Sequence, residues 1–336
     1  MMDGILLTYI IPVYNTGQYV LRCLQSIVDQ HLPSGNYEVL VVDDGSTDDS
    51  RAVIETFAGS HPQVKLLTQA NSGVSAARNM ALDHARGQYV MFVDSDDYLC
   101  DDVVSRLLQR AIDLGLDVLS FNYCCRDVQG GELPHTRDDN YATTDVTTGY
   151  DFLGSHSMTP YVWRFMIRRD YLSSGQWRFD PTLIVCEDGA LISRFLLNAT
   201  RVAHDDKVAY CYVKREDSAM HNTDLEHLRR RIFSQVDAAA SIHAGARQFE
   251  AATGKSAPAS VDGVRNVYLY FSMTKALTCG LVDEVVRRIR EAGLFPFPCV
   301  GPEADYHGTK WKVIHSLMMQ PRLWNLLSRV YRMIKK

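Results

Sequence analysis

Short apolar runs alternate with stretches of helical period over the first third of the chain. The apolar runs are rich in β-branched and large apolar residues, which predicts β-strands at 6–13, 37–42, 64–67, 89–93 and 117–123. Between them, apolar positions recur every three to four residues, which predicts helices over 18–28, 49–57, 74–85 and 103–114. This order indicates an α/β fold with a mostly parallel sheet and flanking helices.

The pattern changes after residue 125. The stretch 126–149 is polar and rich in turn residues, so it predicts a long loop or an irregular hairpin. Further on, the sequence predicts a helix over 187–197, a strand over 208–213 and two long helical stretches, 225–249 and 261–291. The last two suggest a helical region appended to the α/β part.

Composition narrows the class of protein. The chain has 336 residues, 46% of them hydrophobic and 22% charged, and a formal net charge of -5, so nucleic acid is not expected as its partner. Its eight cysteines form no C-x-x-C pair, which indicates a reducing compartment and no structural zinc. The apolar run near the N-terminus is too short to cross a bilayer, so we expect a cytoplasmic protein.

Polar signatures follow three of the predicted strands. They are "PVYN" after the first strand, "DDGSTDDS" after the second and "DSDD" after the fourth. In open α/β sheets, ligands bind beyond the carboxyl ends of the strands. The three signatures should therefore converge on one ligand site.

The second signature suits the nucleoside part of a ligand. Gly45 allows a turn, and Ser46, Thr47 or Asp48 can cap the next helix, which leaves the pair Asp43 and Asp44 unexplained. An ionised carboxylate only accepts hydrogen bonds, so it suits the N–H groups of a base or ribose hydroxyls and does not suit phosphate.

The charge of a diphosphate needs another partner. The chain has neither G-x-G-x-x-G after its first strand nor a phosphate-binding P-loop, so neutralisation falls to a metal ion or to basic residues such as Arg78. The spacing Asp94-x-Asp96 presents two carboxylates on one side of an extended chain, as a hard divalent cation requires. The alternative is that Asp96 or Asp97 only caps the following helix.

Four segments together resemble a known family. The stretches "YIIPVYN", "VVDDGSTDDS", "NSGVSAARNMAL" and "YVMFVDSDD" are similar in order and spacing to glycosyltransferase family 2, inverting enzymes with the GT-A fold. The resemblance is specific over about the first 100 residues, extends more loosely to residue 222 and is closest to bacterial surface-polysaccharide members. It implies a GT-A domain over 1–222, with a nucleotide-sugar half (about 1–100) and an acceptor half (about 101–222).

The resemblance also implies roles for individual residues. Asp44 would accept from the base, Asp94 would contact ribose and the metal, and Asp96 would bind the metal, Mn²⁺ or Mg²⁺. The other residues implied to contact the nucleotide sugar are Pro12, Val13, Tyr14, Gly73, Arg78 and Ser95.

A catalytic base is implied at the E-D pair of "CEDG". Inversion at the anomeric carbon requires a base opposite the leaving diphosphate, and the family pattern assigns that role to Asp188, with Glu187 orienting it or binding the acceptor. Either acid could instead only stabilise the start of a helix.

Four further residues each allow two interpretations. His221 resembles a late metal ligand of some related enzymes, although a histidine in a polar loop is usually solvated. Trp163 could stack on a sugar or belong to the core. Lys214 and Arg215 could screen the diphosphate or lie on the surface.

The C-terminal part is predicted as a helical region over 223–300 and a basic amphipathic tail over 309–336. The tail has seven basic residues and no acidic one, so it could associate with an anionic membrane surface or dock on the domain.

The expected function is transfer of a sugar from a nucleoside diphosphate sugar, with UDP favoured, to a glycan or lipid-linked glycan, at the inner face of the cell membrane. The alternatives are a nucleotidyltransferase that activates sugars and a non-catalytic nucleotide-sugar-binding subunit.

Overall fold

The computed structural model describes residues 4–135, 140–215 and 224–296, together with single positions 316, 319, 320, 323 and 326. His221 and most of the basic tail lie outside the described residues.

The described residues form nine strands and ten helices. The strands are β1 Leu7–Val13, β2 Tyr37–Asp43, β3 Val64–Thr68, β4 Tyr89–Phe92, β5 Tyr98–Leu99, β6 Val118–Asp127, β7 Glu132–Leu133, β8 Phe165–Arg168 and β9 Val202–Lys214. The helices are α1 Gly17–Val28, α2 Ser50–Ser60, α3 Val74–His84, α4 Val104–Asp113, α5 Gly149–Ser155, α6 Arg169–Ser174, α7 Glu187–Asn198, α8 Leu225–Thr253, α9 Ala259–Cys279 and α10 Val282–Glu291.

One sheet holds the nine described strands, in the order β3-β2-β1-β4-β8-β6-β9-β5, with β7 beside β6. The strands β3, β2, β1 and β4 are mutually parallel. Every residue of β1 and β2 is buried, as expected for central strands that are covered on both faces. The predicted α/β fold class, with a mostly parallel sheet and flanking helices, is confirmed.

The second half of the sheet is mixed, which the sequence pattern did not predict. Strand β8 lies between β4 and β6 and is antiparallel to both. It has only four residues, and its sequence "FMIR" shows no clear alternation, so it carries no periodic signal of its own. Strand β7 forms a short hairpin with β6 and resolves part of the stretch that was predicted as a loop or hairpin.

The long C-terminal helical stretch is interrupted. Gly280 has a positive φ of 76° and ends α9, and α10 begins two residues later. None of the described helices is long and apolar enough to cross a membrane.

The described chain divides into two compact units. The first comprises residues 1–152, 161–181 and 199–216 and contains the sheet; the second comprises 153–160, 182–198 and 217–336. The helix α7, which begins with Glu187, therefore belongs with the C-terminal helices. The predicted division at residue 222 instead kept α7 in the same domain as the sheet.

A buried carboxylate holds one end of β6 in the first unit. Asp117, which is 2% exposed, accepts hydrogen bonds at Oδ2 from the backbone of Thr200 and Arg201 and from the Thr200 hydroxyl, and it pairs with Arg168 through Oδ1. Burial alone would raise the pKa of Asp117, but these donors outweigh it and hold the pKa below its usual value.

We expect Asp117→Ala to lower the free energy of unfolding by about 2–4 kcal/mol, because several buried donors lose their acceptor. A carboxyl with a lowered folded-state pKa stabilises the fold above its unfolded-state pKa, and this stabilisation is lost as pH falls through the folded-state pKa. Urea denaturation at neutral and acidic pH should show the difference from wild type shrinking in acid. The exposed Asp170→Ala is the control, expected within about 0.5 kcal/mol of wild type. An equal loss in both variants would contradict the assigned role.

Candidate functional site

Hydrogen bonds connect the loops that follow β1, β2 and β4. After β1, the side-chain oxygen of Asn15 accepts from the backbone N–H of Thr47 at 2.8 Å, and the backbone N–H of Asn15 donates to Ser46 Oγ at 3.1 Å. The hydroxyl of Thr16 lies 2.8 Å from that of Ser95, which follows β4. The predicted signatures therefore converge at the carboxyl ends of the parallel strands.

Asp44 shapes the loop that follows β3. Its carboxylate accepts from Gln69 Nε2 at 2.7 Å, from the backbone N–H of Ser72 at 2.7 Å and from that of Gly73 at 2.8 Å. Gly45 has a φ of +75°, and a Cβ there would lie 2.9 Å from the backbone nitrogen of Asn71, so glycine is needed for this close approach. Asp44 thus holds residues 69–73 at the site, and its contact with a base stays a prediction.

Two guanidinium groups face the D-x-D carboxylates. Asp94 Oδ1 pairs with Arg78 at 2.8 Å, and Asp96 Oδ2 pairs with Arg215 at 2.6 Å. The two carboxylate side chains are 30% and 25% exposed, whereas Arg78 is only 3% exposed and lies over the ring of Phe179. In this structure Arg78 is a buried partner that fixes Asp94, and its predicted approach to the nucleotide stays a prediction.

Asp97 has a structural role within the same turn. It is 3% exposed and accepts from the Tyr210 hydroxyl at 2.8 Å and from the backbone N–H of Val213 at 2.7 Å, both on β9. Burial, followed by the charges of Asp96 and Asp94, raises the pKa of Asp97. Burial and the Asp94 charge also raise the pKa of Asp96, against the opposing effect of Arg215.

The helix-cap reading of "DSDD" is wrong for the following helix, α4. The N–H groups of Val103 and Val104 both donate to Gln30 Oε1, at 3.1 Å each, so a side chain from the end of α1 caps α4. Asp96 and Asp97 instead bond to residues of β9 and the segment after it. The cap alternative therefore does not explain these carboxylates.

The donor set at this turn fits a divalent metal ion. Asp94 and Asp96 supply partly exposed carboxylate oxygens, which are the ligands that Mg²⁺ and Mn²⁺ prefer. Each carboxylate is paired with an arginine: the buried Arg78 holds Asp94 in place, whereas Arg215 at Asp96 is a cation that a metal ion could replace.

The residues at the end of β1 and directly after it differ in how exposed their side chains are. Val13 is 1% exposed and its side chain lies in the core, so only its backbone could contact a ligand. Pro12 is also buried, whereas Tyr14 is 48% exposed. Among the predicted contacts of this segment, Tyr14 therefore has the accessible side chain.

Trp163 belongs to the core. It is 4% exposed, and its ring stacks on Tyr210 with centroids 4.3 Å apart and on Tyr161 at 5.1 Å. Of the two readings that the sequence left open for this residue, core packing is the one observed.

In the second unit, the segment before α7 is held by the helix α8. Ser234 accepts from the backbone N–H groups of Ile184 and Val185 and donates to the carbonyl of Val185. Cys186 then adopts a φ of +65°, which is unfavourable for a residue with a side chain. The helix α7 begins directly after it with Glu187 and Asp188, which are both half-buried.

Gly189 completes the "EDG" sequence for a steric reason. A Cβ at this position would lie 2.2 Å from the hydroxyl of Tyr268 on α9. The same tyrosine hydrogen-bonds Cys186. The start of α7 is thus packed against α8 and α9, which fixes where Glu187 and Asp188 are held within this unit.

Several residues of the site gave no signal in the sequence. Gln69 and Ser72 bind Asp44, while Tyr210 and Val213 bind Asp97 through strand β9. Their roles depend on tertiary contacts between distant segments. Asn15, with a φ of +53°, is the exception, because asparagine directly after a strand is a recognisable turn signal.

Acidic and polar loops at the carboxyl ends of parallel strands place this chain among α/β proteins with a ligand site at that edge of the sheet. Residues 8–198 match the family Glycosyl transferase family 2. This match covers more than half of the chain, and the chain belongs to that family.

Similar proteins agree with this assignment. The uncharacterized glycosyltransferase YibD of Escherichia coli is 33% identical over 231 residues, which are 67% of this chain and 64% of YibD. The match thus spans less than two thirds of that relative. Staphylococcus aureus TarS (residues 1–349), solved in complex with UDP-GlcNAc, superposes over 98% of this chain and 92% of its own, with a TM-score of 0.68 and 21% identity.

A second solved structure shares the fold at lower similarity. It is the mannosyltransferase PcManGT of Pyrobaculum calidifontis, in complex with GDP-Man and Mn²⁺. It covers 100% of this chain and 89% of its own, with a TM-score of 0.54 and 17% identity. At these identities, the two structures show a common fold.

Proposed function

We propose that this chain is an inverting glycosyltransferase that transfers a sugar from a nucleoside diphosphate sugar to a hydroxyl of a glycan or lipid-linked glycan. UDP is the favoured nucleotide, since TarS of the same fold was solved with UDP-GlcNAc. A surface polysaccharide precursor is the proposed acceptor class, in keeping with the family members that the sequence resembles.

One observation carries the proposal: Asp94 and Asp96 lie partly exposed at the carboxyl end of β4, and Asp94 is paired with Arg78 of α3, the helix that begins directly after the loop held by Asp44. Ser95 links the same turn to the loop after β1. This is the sheet position where open α/β folds bind nucleotides. A hard divalent cation there neutralises the charge of a leaving diphosphate when bound.

The remaining contacts with the nucleotide sugar are assigned to other residues of the chain. Asp44, which is 4% exposed, holds the 69–73 loop and is proposed to accept from a base as well, while Tyr14 would offer its exposed ring to the nucleoside. Arg215 lies at Asp96, so its guanidinium can move to diphosphate oxygens when the carboxylate takes a metal ion. Asp94, fixed by Arg78, contributes to the metal and the ribose.

Asp188 is proposed as the general base, with Glu187 orienting it or the acceptor. It takes the proton of the acceptor hydroxyl as the oxygen attacks the anomeric carbon, while the diphosphate leaves from the opposite face. Inversion results, and no covalent intermediate with the enzyme is formed. The contacts from α8 and α9 support this role by restricting the start of α7.

The test is a screen of UDP-sugars and GDP-sugars for release of the nucleoside diphosphate, with Mn²⁺, with Mg²⁺ and with chelator. We expect metal-dependent release with at least one UDP-sugar and a thermal shift with free UDP. Turnover with a sugar phosphate and a nucleoside triphosphate would favour a nucleotidyltransferase. Tight UDP-sugar binding with no release, even with glycan acceptors present, would favour a binding subunit.

The basic tail is proposed to bind an anionic membrane surface. Two apolar residues of this tail, Leu323 and Leu326, are 40% and 57% exposed, which suits contact with lipid. We expect the full chain to co-sediment with vesicles containing anionic phospholipid in a salt-sensitive way, and a version that ends at Gly308 to remain in the supernatant. Neither version of the protein should co-sediment with neutral vesicles, and both versions should retain donor hydrolysis. Equal sedimentation of the two versions would instead favour a tail docked on the domain.

A further inference from the structure

Three cysteines from distant parts of the chain meet in the first unit, outside the carboxylate site. Their Sγ atoms all lie within 4.8 Å of one another, with 3.1 Å between Cys100 and Cys211 and 3.1 Å between Cys124 and Cys211. We call Cys100, Cys124 and Cys211 the thiol trio. We propose that the thiol trio binds a thiophilic d¹⁰ metal ion such as Zn²⁺.

The sheet brings the trio together. Cys124 on β6 and Cys211 on β9 are direct partners in the parallel register of these strands. Cys100 follows β5, which is paired on the other side of β9, and the backbone N–H of Cys100 donates to the carbonyl of Ala209. Strands β6 and β9 thus present one thiol each, and the residue directly after β5 presents the third beside them. Backbone pairing fixes all three positions before any metal ion arrives.

The chemistry of the trio suits a soft cation. Thiolates select zinc and monovalent copper over the hard ions that carboxylates prefer, so this site and the D-x-D site would take different metals. A divalent ion with three thiolates carries one net negative charge, and Arg126 beside Cys124 offsets that charge. Water would complete a tetrahedral zinc site. Binding releases the thiol protons to solvent.

The geometry leaves an entry path. Cys211 is 4% exposed, while Cys100 and Cys124 are both partly exposed, so an ion can reach the trio from solvent. With Zn–S bonds of about 2.3 Å, tetrahedral ligand sulfurs lie about 3.8 Å apart. The two sulfurs that are now 3.1 Å from Cys211 must therefore move outward by less than about 1 Å, which rotation of the partly exposed side chains permits.

A bound ion would act on the neighbouring carboxylate turn. Cys100 lies four residues after Asp96, and Cys211 directly follows Tyr210, which bonds Asp97. Linking β5 to β9 through a metal would therefore restrain the Asp97 end of the Asp94–Asp97 turn. The site is thus a structural clip, separate from the sugar-transfer chemistry.

The sequence predicted no structural zinc because no two cysteines have metal-finger spacing. A search for closely spaced cysteines cannot find the thiol trio, because Cys211 lies 111 residues from Cys100 and 87 residues from Cys124. Only strand pairing makes them neighbours.

The experiment titrates Cd²⁺ alone into the reduced, chelator-treated full chain and follows the ultraviolet sulfur-to-metal charge-transfer absorption. We expect one equivalent to bind, Zn²⁺ to displace it, and Cys211→Ser to weaken binding at least about tenfold. Cys279→Ser, outside the trio, and Asp96→Asn, in the oxygen site, should both keep the absorption band.

A second variant and a labelling experiment guard against misfolding. Cys124→Ser, at a partly exposed position, should weaken Cd²⁺ binding equally while circular dichroism stays that of wild type. In the wild-type chain, Zn²⁺ should protect Cys100 and Cys124 from iodoacetamide and leave the labelling of Cys279 unchanged. Absence of the band in wild type, survival of the band in both serine variants, or protection that reductant alone reverses would overturn the assignment.

Discussion

Asp96→Asn is expected to reduce sugar transfer at least about a hundredfold, the usual scale for removal of one electrostatic group at a reaction centre. The amide keeps the shape of the carboxylate but loses the anionic oxygen that pairs with Arg215 and would bind a divalent ion. Release of UDP from the donor identified by screening measures the rate.

Nucleotide binding should separate loss of the metal from general damage. In wild type, UDP binding measured by calorimetry should tighten with Mn²⁺, whereas in Asp96→Asn it should be the same with and without Mn²⁺. Because the variant leaves Arg215 without its acidic partner, metal-free UDP binding should be at least as tight as in wild type.

Asp101→Asn is the matched control. It makes the same chemical change at an exposed position five residues along the chain, and we expect wild-type turnover and metal dependence. If Asp96→Asn retains Mn²⁺-dependent UDP binding, or if wild type is fully active in excess chelator, the D-x-D carboxylates are not metal ligands.

The nucleotide half of the fold is predictable because its local signals agree with its tertiary role. Strands β1 and β2 are largely apolar and buried along their whole length, although β2 contains Glu38 and ends at Asp43, and the helix between them, α1, shows a clear period. Ligand chemistry follows from the same feature, since parallel strands place their carboxyl ends at one edge and acidic residues there need a cation or a donor.

What the sequence could not supply comes from contacts between distant segments. Gln30 caps α4 from the end of α1, and β9 binds Asp97 through Tyr210. The sequence does not indicate these roles, because glutamine and tyrosine occur in many structural contexts. The local sequence "DSDD" is compatible with a helix cap, and only the tertiary contact of Gln30 with the start of α4 shows that the cap comes from elsewhere.

The packing of the C-terminal helices was also not predictable from the sequence. Their periodicity predicted an appended helical region, yet Ser234 on α8 and Tyr268 on α9 contact the segment from which α7 begins. Periodicity reports which face of a helix is apolar and not what that face packs against. The helices therefore have a second function, which is to support the start of α7.

Asp188→Asn is expected to lower kcat at least about a hundredfold while leaving UDP and Mn²⁺ binding within about twofold of wild type. The proposed base acts on the acceptor hydroxyl and not on the donor, so binding and rate should separate. The loss should also remove the acid limb of the pH–rate profile, because that limb reports protonation of the base. Steady-state kinetics with a glycan acceptor and calorimetry with UDP make both measurements.

Glu187→Gln is the companion variant. It changes the adjacent acid on the same first turn of α7, so a general effect of lost negative charge at the helix start would appear equally in both variants. We expect Glu187→Gln to lower kcat less and to keep the acid limb. Should Asp188→Asn instead weaken UDP binding with an unchanged rate per bound donor, while Glu187→Gln abolishes the acid limb, then Glu187 is the base, and the contacts from α8 and α9 position that residue instead.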